Sequence, residues 1–359
     1  MQLFALDIGN RQVKLMSEKS TKVLPSYLVN AKEYGKRDVL SLGKEVEKST
    51  HDYVTQRDSD FTYVWGTGLN VKRKHVTDTL DLNKRYGTLE FKVLTDFALA
   101  ELASDFSESK NGILDVVVVT GVPTEDYENE DVLRQITASL KGDHSATIDG
   151  ISHVVRVHDV YILMQPVGTA IDAMVDALGT IKDNNDIEDG YVGVVDAGGG
   201  TVLIEAFDSM DLDVNNRQQL NKGSHSLFID IRNRIIELGY KISEYEVEQI
   251  VRDGSETEVY TWSPNGREMI DLTSVVMSER KQYTRKIAQS VKSTFKDMSR
   301  MRKVYVTGGT ANLFIEDEFL RIIPIAYFVQ GSETANVRGY YKYGLINEVT
   351  NVGEEEEAR

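Results

Sequence analysis

The sequence predicts an internally duplicated α/β protein, and three observations carry that prediction. A strand ending in Asp7-Ile-Gly-Asn10, followed by a returning strand, recurs about half a chain later at Asp196-Ala-Gly-Gly-Gly200. After each hairpin, short β-branched runs alternate with amphipathic stretches, the pattern of a sheet covered by helices. The chain has 359 residues, and domains of about 100–200 residues make that two domains, or one large duplicated one. The expected partition is 1–163 with 337–359 as the first domain, including a smaller exposed subdomain over about 18–90, and 164–336 as the second.

The elements follow in order. Leu3–Leu6 is a short apolar strand, and Val13–Met16 alternates back as its partner. Residues 18–90 carry many charges and few periodic runs, with a strand at Phe61–Trp65. Over Thr95–Phe106, Phe97, Leu99, Ala100, Leu102, Ala103 and Phe106 form a broad apolar helical stripe. Ile113–Thr120 is a continuous β-branched run, as in a strand covered on both faces, and a helix carrying Val132, Leu133, Ile136 and Leu140 follows. Asp149-Gly150, between Ala146–Ile148 and Val154–Val157, signals a hairpin. A further strand over Val160–Met164 leads through Gln165-Pro166 into a helix with Ala170, Ile171, Met174, Val175 and Leu178. Proline fits the first turn of a helix, where its missing N–H costs nothing.

The second half opens with strands Tyr191–Val195 and Thr201–Phe207. Helices follow over Leu227–Leu238, closed by Gly239, and over Ser243–Val251, where Ser243 and Glu246 have the form of a capping box. Tyr283, Ile287, Val291 and Phe295 recur at helical spacing and place an amphipathic helix over 278–300. Strand Val304–Val306, the turn Thr307–Thr310, a short helix and Val337–Ile346 complete the half, and the acidic tail Gly353–Arg359 is expected to be disordered.

Composition narrows the function. Lys+Arg 41 against Asp+Glu 57 gives a net charge of −16, which argues against direct nucleic-acid binding by the bulk surface and favours a basic partner protein. Lys72-Arg73-Lys74 is the one local basic patch singled out. The absence of cysteine excludes disulfide scaffolds, zinc ribbons, iron–sulfur clusters and thiol nucleophiles, and suits a reducing cytoplasm. Met1–Leu6 reads as a strand rather than a signal peptide, and no apolar run approaches the roughly 18–20 residues of a membrane span. The P-loop, His-Glu-x-x-His and Gly-x-Ser-x-Gly patterns are absent, and the six histidines show no metal-ligand spacing. Trp65 and Trp262 read as packing residues.

The two acidic-glycine turns carry the chemistry. Glycine lets backbone amides approach an anion closely, and successive amides in a tight turn form a concave anion site. Asp7 and Asp196, at matching strand ends, suit a hydrated Mg²⁺. Lys14, on the returning strand, offers a point charge for a terminal phosphate. Either turn alone is a commonplace bend; their repetition in the same strand–turn–strand context gives them weight. Gly308-Gly309, after Val304–Val306, is a third glycine turn suited to close approach by a ring or ribose. Gln165 stands at a strand-to-helix junction, where a carboxamide can orient a water without acting as a strong base.

Together these segments resemble the actin-like ATPase superfamily. Asp7-Ile-Gly-Asn-Arg-Gln-Val-Lys14 resembles its first phosphate motif, Asp196-Ala-Gly-Gly-Gly-Thr201 its second and Val304-Tyr-Val-Thr-Gly-Gly-Thr-Ala311 its adenosine motif. Gln165-Pro-Val-Gly-Thr-Ala170 and Asn336-Val-Arg-Gly339 resemble the two connecting helices. Length and Val118-Val-Thr-Gly-Val-Pro123 are most similar to the ParM group of plasmid-segregating actins, in its Gram-positive and archaeal-like branch. The resemblance implies a duplicated actin-like (ribonuclease H-like) α/β fold, with two domains flanking a nucleotide cleft.

The same resemblance implies roles for individual residues. Asp7 and Asp196 would coordinate Mg²⁺ through water. Gly9, Asn10, Lys14, Gly198, Gly199, Gly200 and Thr201 would surround phosphate, and Gln165 would position the hydrolytic water. Gly308, Gly309 and Thr310 would pack against adenosine, with Gly223-Ser224 and the 278–300 helix lining the base. Many bacterial relatives carry Glu where this chain has Gln165, whereas actin has Gln. The implied activity is hydrolysis of ATP, or alternatively GTP, coupled to head-to-tail polymerisation in the cytoplasm. A small DNA-binding adaptor would link the filament to plasmid DNA, with no membrane and no direct nucleic acid involved. The competing readings are a cell-shape filament, a chaperone-type ATPase and a small-molecule kinase of the same superfamily.

Overall fold

The structure is a computed structural model that describes residues 1–34, 49–69, 76–79, 85–183 and 185–347. Lys72-Arg73-Lys74 and the tail Gly353–Arg359 lie outside the described residues. The chain divides into two units, Met1–Lys182 with Asn336–Arg359, and Asp183–Ala335.

The first unit is built on one ten-stranded sheet. Its strands are β1 (Gln2–Ile8), β2 (Gln12–Met16), β3 (Thr21–Pro25), β4 (Tyr27–Asn30), β5 (His51–Thr55), β6 (Tyr63–Trp65), β7 (Val76–Asp78), β8 (Ile113–Val122), β9 (Gly142–Ile148) and β10 (Ile151–Met164). They run in the order β3-β2-β1-β8-β10-β9-β5-β6-β4-β7. Strand alternation sorts the central side chains. Phe4, Leu6, Val116 and Val118 enter a core that includes Phe97, Leu99 and Leu102 of helix Leu89–Ala103. Leu3, Ala5, Val117 and Val119 point the other way, to Val337 and Tyr340 of helix Ala335–Ile346. Both faces of β8 are therefore covered, as its β-branched run implies.

Four expectations change here. The strand expected over Val160–Met164 is continuous with the preceding one: β10 runs through, and its register against β8 slips between Val157 and Asp159. The polar pair that reads as a break is a bulge, with His158 displaced and bonded to Asp115 at 2.6 Å. The helix after Gln165 ends at Met174, before Val175 and Leu178. Val175 turns extended and bridges Ile181, while the Asp176 carboxylate collects the amides of Leu178 and Thr180. Residues 18–90 do not form a separate exposed subdomain among the described residues. Strands β4 to β7 continue the main sheet through the β5–β9 pair, and Leu28, Val29, Tyr53, Val64 and Trp65 are buried. Finally, residues 164–182 group with the first unit, because Thr169 and Asp172 of helix Gln165–Met174 bond to Asn336, Arg338 and Lys342.

The second unit repeats the centre of the first. Strands β11 (Tyr191–Ala197), β12 (Val202–Asp208), β13 (Asp211–Leu212), β14 (Gln218–Leu220), β17 (Lys303–Thr307) and β18 (Ala326–Phe328) give a main sheet ordered β13-β12-β11-β17-β18, with β14 also on β12, and β15 (Thr261–Trp262) pairs β16 (Ile270–Asp271) separately. β11 is antiparallel to β12 and parallel to β17, which is parallel to β18. The same sequence of antiparallel and parallel pairings links β2, β1, β8 and β10. Val195, Ile204 and Val306 share one core with Leu227, Ile231, Val247, Ile287 and Val291 from helices Ser224–Glu237, Glu244–Asp253 and Thr273–Thr294. The last of these starts and ends before the expected 278–300, with Phe295 as its cap and Lys296 at φ 43 breaking it. The capping box at Ser243 and Glu246 is present. Trp65 and Trp262 are both buried packing residues.

Candidate functional site

Each unit presents an acidic-glycine hairpin, and the two are built alike. In the first, Asp7 lies opposite Lys14 and Ile8 opposite Val13; in the second, Asp196 lies opposite Leu203 and Ala197 opposite Val202. The turns close the same way: the Gly9 amide donates to the Gln12 carbonyl at 2.9 Å, and the Gly198 amide to the Thr201 carbonyl at 2.8 Å. The hairpins differ in the residue across from the aspartate. Lys14 supplies a cation in the first, whereas buried Leu203 supplies none in the second.

In the first unit Asp7 is almost fully buried, and its carboxylate is held by two donors. Lys14 Nζ approaches Oδ2 at 3.0 Å, and Gln165 Nε2 donates to Oδ1 at 3.3 Å. Asp7, Lys14 and Gln165 are thus brought together, as the sequence implied. Gln165 begins its helix with Pro166 in the first turn. That helix crosses Ala335–Ile346 at glycines: a Cβ on Gly339 would lie 1.7 Å from the Gly168 carbonyl oxygen. The crossing is locked by Thr169 Oγ1 on Asn336 Oδ1 at 2.7 Å, and by Arg338 and Lys342 on Asp172 at 2.6 and 2.7 Å.

In the second unit Asp196 is buried to 6 % exposure, and Gly308 stands against it at φ 86. A Cβ there would lie 2.3 Å from the Ala197 carbonyl oxygen and 2.5 Å from Asp196 Oδ1, so only glycine fits. The Gly198–Gly200 loop packs on the start of helix Ser224–Glu237. Gly223 donates its amide to Gly200 at 3.0 Å, Ser224 to Gly198 at 3.3 Å and His225 to Gly199 at 3.1 Å. Thr310 Oγ1 donates to the Gly198 carbonyl at 2.7 Å. In these contacts the loop contributes carbonyls. Tyr283 of helix Thr273–Thr294 donates to the Lys222 carbonyl beside Gly223. The structure therefore gathers Asp196, Gly198–Thr201, Gly223 and Gly308–Thr310 into one cluster.

Asp7 and Asp196 are both buried carboxylates, and among the described residues no group of three or more acidic or histidine side chains gathers as a metal cage. Such oxygen donors suit an ion that keeps most of its waters, as Mg²⁺ does.

Sequence reasoning missed two side chains in the first hairpin. Ser26 Oγ and Arg85 Nη2 both donate to the Gly9 carbonyl, each at 2.6 Å. Burial pulls the Arg85 guanidinium below its ordinary value, while neighbouring Tyr86, Asp7 and Asp126 act the other way. Neither residue belongs to a local pattern; long-range pairing brings both to Gly9.

Comparison with known proteins follows these features. Residues 5–168 match the family model described as actin like proteins N terminal domain, and residues 191–327 that described as Alp7A C-terminal domain. No curated protein matches the chain in sequence. The fold is similar to that of apo pSK41 ParM (TM-score 0.73, 21% identity, 97% of this chain and 98% of that one). It is similar to Ta0583, an archaeal actin homolog (TM-score 0.75, 17% identity, 96% and 99%), and to the actin-like protein Alp7A (TM-score 0.73, 14% identity, 99% and 99%). Among the described residues no helix is long and apolar enough to cross a membrane. With a family model on each half and one shared architecture along nearly the whole length, the chain belongs to the actin-like proteins.

Proposed function

We propose that the chain hydrolyses ATP, assembles head to tail into filaments and segregates plasmid DNA through an adaptor protein. The observation that carries this reading is the repetition, once per unit, of a buried aspartate beside a glycine turn of the same register and closing bond. Amides of Asn10 and Gly199–Thr201 take phosphate oxygens, while those of Gly9 and Gly198 close the turns, and Lys14, whose ammonium has three donors, bonds Asp7 while reaching phosphate. Gly223 and Gly308–Thr310 serve the nucleoside end. Asp7 and Asp196 are the carboxylates that would hold hydrated Mg²⁺, which would neutralise phosphate charge.

Gln165 has a defined orientation for its role. A carboxylate accepts only from donors, so the contact with Asp7 fixes Nε2 inward. Oε1 is left to accept a hydrogen bond from the attacking water and align it. Because no strong base is involved, the residue acts by orientation.

Solved relatives support the nucleotide and the self-association. The archaeal homolog Ta0583 has been solved in complex with ADP (TM-score 0.73, 17% identity), Bacillus thuringiensis ParM with ATP (0.67, 16%) and Alp12 as a filament (0.64, 14%). Bound nucleotide biases the subunit toward a heterologous contact that does not close on itself, and hydrolysis weakens that contact. A net charge of −16 favours an indirect, basic link to DNA in the cytoplasm.

Light scattering and pelleting with ATP, GTP or ADP, alongside phosphate release, test the reading. A concentration-dependent rise with triphosphate, abolished together with hydrolysis in Asp196→Ala, is expected. No rise, with phosphoryl transfer to a small hydroxyl substrate, would instead favour a small-molecule kinase.

A further inference from the structure

The turn of the first hairpin is pinned from outside on both sides of Asn10. On one side the Gly9 carbonyl accepts Ser26 Oγ and Arg85 Nη2, each at 2.6 Å. On the other the Arg11 carbonyl accepts the Ser26 amide at 3.0 Å, and the Gly9 amide is already spent on Gln12. The peptide between Gly9 and Asn10 is trans, as all are among the described residues. In a planar trans peptide the C=O and N–H point in opposite directions. Fixing the Gly9 carbonyl toward Ser26 and Arg85 therefore fixes the Asn10 N–H away from them.

Arg85 is itself immobilised. Its Nε donates to Thr79 Oγ1 at 3.2 Å, and its guanidinium lies 5.7 Å from the Tyr86 ring and 5.5 Å from the Phe91 ring. A planar fork held at Nε and stacked on aromatic rings leaves Nη2 one direction, toward Gly9. A cationic donor on that carbonyl also polarises the peptide and strengthens the N–H as a donor to an anion.

We propose that Ser26 and Arg85 are positioning residues of the phosphate site, which clamp the Gly9 carbonyl so that the Asn10 amide is aimed at a phosphate oxygen of the nucleotide. The assignment rests on the nucleotide reading above and adds two residues that touch no substrate. It makes the clamp specific to the phosphate chain: it aligns one amide and leaves the nucleoside contacts of the second unit untouched.

The test compares ATP and adenosine affinity by calorimetric titration of the full chain for Ser26→Ala, Arg85→Lys and Arg85→Met. Ser26→Ala removes one donor with almost no change in volume, and keeps the proposal testable if Arg85→Met fails to fold. Each variant that folds is expected to bind ATP about tenfold more weakly, the worth of one aligned hydrogen bond, with adenosine affinity unchanged. The ¹⁵N–¹H resonance of Asn10 is expected to shift strongly when ATP binds wild type and less in the variants. Lysine cannot hold Thr79 and Gly9 in one rigid fork, so Arg85→Lys is expected to behave as a loss. ATP affinity equal to wild type in Ser26→Ala, with an unaltered Asn10 shift, would overturn the clamp. So would a matching loss of adenosine affinity. Wild type that binds no ATP would overturn the nucleotide reading itself, a result distinct from either.

Discussion

Replacing Gly339 with alanine probes the crossing of helices Gln165–Met174 and Ala335–Ile346. The added Cβ would lie 1.7 Å from the Gly168 carbonyl oxygen, 2.5 Å from its carbon and 2.8 Å from its Cα. All three are backbone atoms, so no rotamer change relieves the clash. A carbon–oxygen contact settles near about 3.3 Å, so the helices must part by roughly 1.5 Å. That separation stretches the 2.7 Å bond between Thr169 and Asn336 and the pairs of Asp172 with Arg338 and Lys342 beyond bonding range. Overpacking costs about 2 kcal/mol, and the lost polar contacts about 1 kcal/mol each for two of them. Alanine recovers about 1 kcal/mol of helix propensity, leaving a net loss of about 3 kcal/mol in the first unit. The chain holds two tryptophans, Trp65 in the first unit and Trp262 in the second. In a Trp262→Phe background, urea unfolding followed by Trp65 fluorescence reads the first unit alone. With a slope of about 2 kcal/mol per molar, the midpoint should fall by about 1.5 M. A midpoint unchanged or raised would refute the backbone contact and the packing argument drawn from it.

Three further outcomes are expected. Gln165→Ala should slow phosphate release and lengthen filament lifetime, while nucleotide affinity changes little; unaltered turnover would count against water orientation. Gly308→Ala forces φ 86 on a residue with a Cβ and pushes it against Asp196, so thermal stability should drop by about 1–2 kcal/mol and hydrolysis should be lost; a fully active variant would contradict the cluster. The Glu318 carboxyl, held by hydrogen bonds from Arg285 and Lys281, sits at about 2 against an ordinary 4.5. A carboxyl depressed by folding stabilises above its ordinary value and loses that contribution as pH falls toward the folded value. Acid titration of wild type against Glu318→Gln should therefore show the gap in stability closing between about pH 4.5 and about 2; a constant gap would refute the assignment.

Much of the site was legible because its chemistry is local in sequence. A strand, an Asp-x-Gly turn and a returning strand fix the register, and that register alone sets Lys14 opposite Asp7. The two connecting segments contain Gly168 and Gly339, the pair on which the helices cross. Illegible features depend on distant partners. Strands β4 to β7 read as a smaller exposed subdomain because they join the main sheet through β5 alone, whose partner β9 lies far along the chain. Helix Leu89–Ala103 starts earlier than its stripe implied: Phe91, Val93 and Leu94 are buried too, so no single face stands out, and Thr88 caps it. The bulge at His158 hid the continuity of β10, because an interrupted alternation looks the same as a strand end. Ser26 and Arg85 reach Gly9 only through the folded sheet.

Titration calorimetry with ATP and Mg²⁺ tests most directly whether each of the two hairpins binds nucleotide. Binding is expected for wild type, weakened at least tenfold by Asp7→Ala and, separately, by Asp196→Ala, about the effect of losing one charged contact. Full affinity after either substitution would contradict it.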